Sequence, residues 1–204
     1  MNKSRVEAFS DGVFAIAITL LVLTIAQPGA GRYSDLGHQL LERWPSLAAY
    51  AVSFLVIGIM WLNHHTVFSH LERVDRGLFY WNLLLLMTVV FIPYPTAVFG
   101  EALRLGQGTR TAAVFYSVAM TVNALMWSGL WLHASVGRRL LLADFPESQR
   151  AVSTYLFAGG SVLYAVSIGV ALLDAYVCLA FHGVLALYYA FDPISRRLAH
   201  SAAT

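Results

Sequence analysis

Six long runs without a charged residue divide this chain of 204 residues. Only 12% of the residues are Asp, Glu, Lys or Arg, about half of the roughly 25% that soluble domains carry. Five of the runs are long enough for a helix that crosses the hydrocarbon core of a bilayer, which needs about 20 residues. The runs are residues 12–31, 44–68, 77–100, 111–137, 151–173 and 175–191. This pattern is typical of a multi-pass membrane protein.

Inside a bilayer the backbone must satisfy its own hydrogen bonds, and the alternating pattern of a membrane barrel is absent. We therefore expect an all-α membrane protein with one domain over residues 1–204 and six transmembrane helices. The sixth run is short, and we expect Asp192 and Pro193 to lie at the membrane interface. The expected spans are residues 6–27, 45–69, 76–99, 110–135, 150–173 and 175–193.

Helix-breaking residues agree with these boundaries. Pro45 fits the first turn of the second helix, where proline is tolerated, and Pro93 and Pro95 should kink or end the third helix. Residues 106–109 contain two glycines and predict a turn before the fourth helix. Only Asp174 separates the last two runs, which predicts a tight helical hairpin.

The positions of the positive charges predict how the chain is oriented in the membrane. Nine of the 13 Lys and Arg residues lie at the two termini, in the second connection or in the fourth. Because cytoplasmic segments carry the excess of Lys and Arg, both termini are expected in the cytoplasm.

The first helix has a polar start and a distinctive apolar face. Arg5, Ser10 and Asp11 stand directly before the first run, where a simple membrane anchor needs no such cluster. Further along lie Ile16, Thr19, Leu20 and Leu23, at the i, i+3, i+4 and i+7 spacing of one helical face. We interpret this face as the lining of an ion pathway, although ordinary helix packing produces the same periodicity.

A second polar group lies at the end of the second helix, on the same predicted side of the membrane as Asp11. A carboxylate within a span is costly and normally has a partner or a water-filled cavity. His64 and His65 are candidates to bond Asp11 or Ser10, or to titrate near neutral pH. Asp11 therefore belongs to a structural network, to the permeation pathway, or to both.

A metal site is a further hypothesis for His64, His65 and His70. Adjacent histidines point in different directions, however, whereas two ligands on one helix usually stand at i and i+4. We therefore expect no metal and no cofactor. The sequence also lacks a serine-histidine-aspartate arrangement, a phosphate-binding loop and a carbonyl filter loop, so we expect neither an enzyme nor a nucleic-acid partner.

Three motifs resemble the transmembrane protein 175 family, which comprises potassium-permeable channels of endolysosomes and their prokaryotic relatives. The first helix begins with Arg5-x-x-x-Phe9-Ser10-Asp11-Gly12. Trp61-x-x-His64-His65 and Phe91-x-Pro93-x-Pro95-Thr96 resemble the family's second and third helices. The helix count and the small size extend the resemblance over the whole chain.

The resemblance implies a homotetramer with a central pore lined by the first helix. It places a hydrophobic gate at Ile16, Leu20 and Leu23, with Thr19 as a hydroxyl layer that contributes to selectivity. The bracing cluster it implies comprises Arg5, Phe9, Ser10, Asp11, Trp61, His64 and His65. The expected partners are K⁺ or other monovalent cations, the lipid bilayer and further copies of the chain, and the expected location is a prokaryotic plasma membrane.

Two other functions are compatible with the residues. A proton-coupled secondary transporter would use Asp11 with His64 or His65 as its relay. A membrane-embedded metalloenzyme would use His64, His65 and His70.

Overall fold

The computed structural model describes residues 2–25 and 35–191, and within that part the chain forms helices and their connections. The helices in chain order are α1 (Lys3–Leu20), α2 (Leu36–Glu42), α3 (Trp44–Ser69), α4 (Arg76–Phe91), α5 (Pro93–Leu105), α6 (Thr109–Ser135), α7 (Glu147–Leu173) and α8 (Ala175–Phe191).

Five helical segments of the described part are long and apolar enough to cross a membrane. They are Lys3–Thr24, Trp44–Ser69, Arg76–Leu105, Thr109–Arg138 and Glu147–Leu173, and Ala175–Ala190 is a shorter apolar helix. The predicted all-α membrane class is therefore confirmed. Residues 26–34 and 192–204, which include the predicted ends of the first and sixth spans, lie outside the described part.

The third segment bends where the prolines predict. Helix α4 ends at Phe91 and α5 begins at Pro93, because a proline ring cannot continue the hydrogen bonding of the preceding turns. Ile92 keeps a helical conformation with φ −52° and ψ −40°, so the two helices follow each other as one kinked segment.

Two predicted connections also form. Gly106 and Gly108, on either side of Gln107, have φ of 66° and 63°, the left-handed region that glycine enters without steric cost. Asp174 alone separates α7 from α8, and its Oδ1 accepts the N–H of Val177 at 2.8 Å. This capping bond starts α8 immediately after the chain reverses.

The structure contains one element that the sequence did not predict, and it differs from the sequence expectations in one place. The short helix α2 lies in the first connection. The first helix does not stay α-helical to the end of its apolar run: Leu21–Thr24 form a 3₁₀ turn. Leu23 therefore lies in this tighter turn, whereas Ile16 and Leu20 lie in α1 itself.

The connections at one end of the bundle are tied together. Lys3 Nζ donates to the carbonyl oxygen of Leu71 at 2.7 Å. Leu71 also pairs with Leu141 as an isolated antiparallel bridge. The start of α1, the α3–α4 connection and the α6–α7 connection therefore meet at one end.

Asp75 anchors α4 at this same end. Its Oδ1 accepts the N–H of Leu78 at 2.7 Å and a hydrogen bond from His133 Nε2 on α6 at 3.0 Å. Burial alone would raise the pKa of Asp75, but the Leu78 and His133 hydrogen bonds and the charge of Arg139 outweigh it, so the pKa lies below 3.8. The ionised carboxylate thus stabilises the start of α4.

Helix α1 packs against α3 and α4, and α6 packs against α4, α5 and α7. Helix α7 is the most peripheral of the five long segments, because only 17% of its apolar window is buried within the chain. The core consequently lies between α3, α6 and the kinked α4–α5 segment, with α1 on one flank and α7 on another.

Candidate ion pathway

Helix α1 and the 3₁₀ turn that continues it have one face inside the bundle and one face outside it. The inner face consists of Val6, Ser10, Phe14, Ala17 and Leu21, all of which are buried. The outer face carries the residues that periodicity selected: Ile16 is 58% exposed, Leu20 38% and Leu23 76%. The packing within one chain therefore leaves these three side chains partly uncovered.

Thr19 lies on the same outer face and is also exposed. Its hydroxyl donates to the helix backbone, with Ala15 O at 3.0 Å and Ile16 O at 2.9 Å. A hydroxyl proton that is held by the backbone leaves the oxygen lone pairs as acceptors. Thr19 can therefore present an oxygen ligand to a cation on the outer face.

A buried chain of hydrogen bonds holds the inner face. His64 Nε2 on α3 donates to Asn82 Oδ1 on α4 at 2.8 Å, and Asn82 Nδ2 donates to Ser10 Oγ at 3.0 Å. Ser10 Oγ in turn donates to the carbonyl oxygen of Val6 at 2.9 Å. The chain of donors runs in one direction across three helices and ends on the backbone of α1.

Aromatic rings surround the histidine of this chain. His64 is 1% exposed and stacks on Phe68 with ring centroids 4.2 Å apart. Phe14 of α1 lies 5.5 Å from the same ring, and Trp127 of α6 meets it edge-on at 6.2 Å. The hydrogen-bonded groups are thus enclosed by apolar side chains, where an unpaired polar atom is costly.

The other predicted bracing residues lie nearer the surface. Asp11 Oδ1 accepts a hydrogen bond from Trp61 Nε1 at 2.9 Å, which joins α1 to α3. His65 is exposed, with its ring 6.4 Å from that of Trp61. Arg5 and Phe9 are exposed and line a shallow groove beside Phe79. The structure thus brings Ser10 with His64 and Asp11 with Trp61, but leaves Arg5 and Phe9 outside both sets of hydrogen bonds.

The histidines considered as metal ligands do not come together. Within residues 2–25 and 35–191 no group of three or more His, Cys, Asp or Glu residues is arranged to hold a metal ion. The imidazole of His70 bonds the carbonyl oxygen of Thr66 at 2.7 Å and packs edge-on against Phe145.

Asn82 is the functional residue that sequence reasoning did not assign to this site. It links Ser10 to His64, which we had considered as direct partners. The available signal was an amide in an otherwise apolar run, and such an amide commonly bonds a neighbouring helix. The sequence does not reveal which helix the amide contacts.

Comparison with known proteins finds similar sequences that are named as ion channels. A family model described as endosomal/lysosomal potassium channel TMEM175 matches residues 5–93. A protein of Streptomyces collinus named as a potassium channel is 49% identical over 195 residues, covering 95% of each chain. A chicken protein named as an endosomal/lysosomal proton channel is 28% identical over 177 residues, which cover 83% of this chain and 35% of the chicken protein.

A solved structure has the same fold. It is the crystal structure of a lysosomal potassium-selective channel TMEM175 homolog from Chamaesiphon minutus, with a TM-score of 0.83 and 39% sequence identity. The match covers 92% of this chain and 96% of that one.

Proposed function

Because the chain belongs to the TMEM175 family, whose members are ion channels and not enzymes, we propose that it is a potassium-permeable channel. Four copies surround a central pore, and the outer face of α1 from each copy lines it. The bacterial relative named as a potassium channel, which matches along nearly its whole length, supports potassium as the permeant ion.

The division of α1 into two faces carries this proposal. The inner face is filled by Phe14, Ala17 and Leu21, each at most 2% exposed, so close packing leaves no route for an ion there. The outer face carries Ile16, Leu20 and Leu23, which the packing within one chain leaves exposed. A pathway along α1 therefore requires the outer faces of several copies.

The three aliphatic residues act as the gate. Rings of Ile16, Leu20 and Leu23 narrow the pore and close it by excluding water, which is one way that a pore without charged residues stops ions. The Thr19 hydroxyls supply an oxygen layer between these rings and favour K⁺. A small tilt of α1 widens the rings and admits a partly hydrated cation.

The residues behind α1 brace it. The hydrogen bonds from Asn82 to Ser10 and from Trp61 to Asp11 attach the polar start of α1 to α4 and α3. Because both attachments precede Gly12, they hold the start of the helix while leaving its gate end to move. The proposed bracing set comprises Arg5, Phe9, Ser10, Asp11, Trp61, Asn82, His64 and His65.

The chain is a multi-pass membrane protein, and we assign it six spans within one domain, including the shorter α8. Both termini lie in the cytoplasm of a prokaryotic cell whose plasma membrane holds the channel. The concentration of Lys and Arg at that end of the spans supports this orientation.

Proton-coupled transport is the second candidate. The chicken relative named as a proton channel favours considering protons, and Asp11 and His65 are both exposed beside Trp61. A transporter of this kind would show saturable uptake that depends on a proton gradient, whereas a channel passes K⁺ without a second gradient.

Ion flux through purified protein in liposomes tests the proposal. We expect K⁺ efflux without a proton gradient, and a larger leak when Leu20→Ser or Ile16→Ser wets the gate. Val162→Ser is the matched control, because Val162 is 62% exposed like Ile16 but lies on the peripheral helix α7. The proposal is wrong if the protein passes no K⁺, or if both gate substitutions behave like the control.

A further inference from the structure

A crevice lies between α3, α6, α7 and α8, on the side of the core away from α1. The space inside it that a water-sized sphere can reach is about 70 Å³, which is room for several water-sized groups. Its walls include Met60, Asn63, Trp127, Phe157, Gly160 and Tyr189.

Small residues create this space. Ala124 on α6, Gly160 on α7 and Ala186 on α8 all line the crevice. A Cβ atom at Gly160 would lie 3.0 Å from the hydroxyl oxygen of Tyr189, closer than ordinary contact. A larger side chain at Gly160 therefore either fills the crevice or displaces Tyr189.

The position of the crevice identifies its occupant. One wall belongs to α7, the most peripheral long helix, whose neighbouring residues Gly159 and Val162 are exposed. In a membrane-spanning bundle, such a surface faces lipid. Apolar cavities stay dry and accept apolar ligands, and the apolar molecules at high concentration around the crevice are the acyl chains of the bilayer. We infer that the crevice binds one acyl chain of a bilayer lipid.

The shape of the walls suits a hydrocarbon chain. Trp127 and Phe157 stack in parallel, with ring centroids 5.9 Å apart and 10° between their planes. Flat rings and the flexible Met60 side chain offer broad dispersion contacts along a chain. The Trp127 ring also lies 6.2 Å from the His64 ring, centroid to centroid, so a bound acyl chain packs on the ring that encloses the hydrogen bonds behind α1.

Photochemical labelling tests this inference. The full-length protein is placed in liposomes that contain a phosphatidylcholine with a diazirine midway along one acyl chain. After irradiation, mass spectrometry locates the attached lipid. We expect labelling to concentrate on the crevice segments of α6 and α7, at Trp127 and Phe157, above the level on the exposed face of α7.

Two filling substitutions and one control make the test specific. Gly160→Leu and Ala124→Leu should each lower crevice labelling by at least about fivefold, because added methylenes occupy the space of the ligand. Gly159→Leu should leave the labelling unchanged, since a Cβ there meets no atom within 4 Å. If Gly160→Leu does not fold, Ala124→Leu decides the question alone.

Two results would overturn the inference. One is labelling spread evenly over the exposed surfaces of α7 and α8, which indicates only surrounding bilayer lipid. The other is undiminished crevice labelling in a folded Ala124→Leu variant. Neither result depends on ion conduction, so the outcome is independent of the proposed channel function.

Discussion

Replacing Asn82 with alanine removes the hydrogen-bonded link between α1 and the buried His64. Asn82 is completely buried and makes one bond to Ser10 Oγ at 3.0 Å and one to His64 Nε2 at 2.8 Å. Alanine makes neither bond. Ser10 retains its bond to the carbonyl oxygen of Val6, whereas the His64 nitrogen loses its acceptor in an apolar enclosure.

The expected loss of stability follows from these two bonds. Hydrogen bonds between membrane helices contribute about 0.6 kcal/mol on average and up to about 1.7 kcal/mol. An unsatisfied buried group adds about 1–3 kcal/mol. With the average value for each bond, Asn82→Ala should therefore lower the free energy of unfolding by about 2–4 kcal/mol, measured by reversible denaturation in mixed micelles of sodium dodecyl sulfate.

Asn123 provides a matched control. It is also completely buried, but its Nδ2 donates to Thr88 Oγ1 at 2.8 Å and it does not bond α1. Its Oδ1 has no hydrogen-bond partner in the part of the chain that the structure describes, so Asn123→Ala should cost only about 1 kcal/mol. Of the two substitutions, only Asn82→Ala should speed amide hydrogen exchange in residues 5–16, because only Asn82 forms a hydrogen bond to α1.

A double-mutant cycle isolates the contact. Ser10→Ala and Asn82→Ala should show a coupling energy of about 0.6–1.7 kcal/mol. Strict additivity of the two substitutions, or equal acceleration of exchange in Asn82→Ala and Asn123→Ala, would refute the assignment of Asn82 as a brace of α1.

Three further predictions concern other parts of the chain. Thr19→Val should lower the K⁺ to Na⁺ flux ratio in liposomes while Thr19→Ser preserves it, because only serine keeps the oxygen. Gly129→Ala should destabilise the protein by about 1–3 kcal/mol in thermal unfolding, because the new Cβ would overlap the Trp81 ring. The lowered pKa of Asp75 means that its stabilisation is present above pH 3.8 and is lost as the pH falls through the folded-state value. Asp75→Asn should therefore be less stable than the natural protein near pH 7, and the difference should shrink below pH 3.8.

Much of the helical pattern follows from local sequence. The kink at Pro93, the left-handed turn at Gly106 and Gly108 and the hairpin at Asp174 all form where the sequence predicts them. Each depends on the chemistry of one or two residues: a missing N–H, a missing Cβ, or a carboxylate that caps a helix. Such features require no knowledge of tertiary contacts.

Features that depend on tertiary contacts are harder to predict from the sequence. The 3₁₀ turn at Leu21–Thr24 lies in an unbroken apolar run that α-helical periodicity describes equally well. This turn packs on α3 and α5, contacts that periodicity does not encode. The link from His64 through Asn82 to Ser10 likewise depends on how α1, α3 and α4 are arranged. Sequence patterns identified polar residues to be paired, but three-dimensional packing selected the pairs.

If the outer face of α1 lines the conducting pore, modification of a thiol on that face should stop conduction. Cys178 is the single cysteine of the chain and is buried, so Cys178→Ser provides a background without reactive thiols. Leu20→Cys and Val162→Cys are then introduced separately and treated with a positively charged methanethiosulfonate while K⁺ flux is recorded. We expect modification to block K⁺ flux through Leu20→Cys and to leave flux through Val162→Cys unchanged. Undiminished K⁺ flux through Leu20→Cys, after mass spectrometry has verified full modification, would exclude the outer face of α1 as the pore lining.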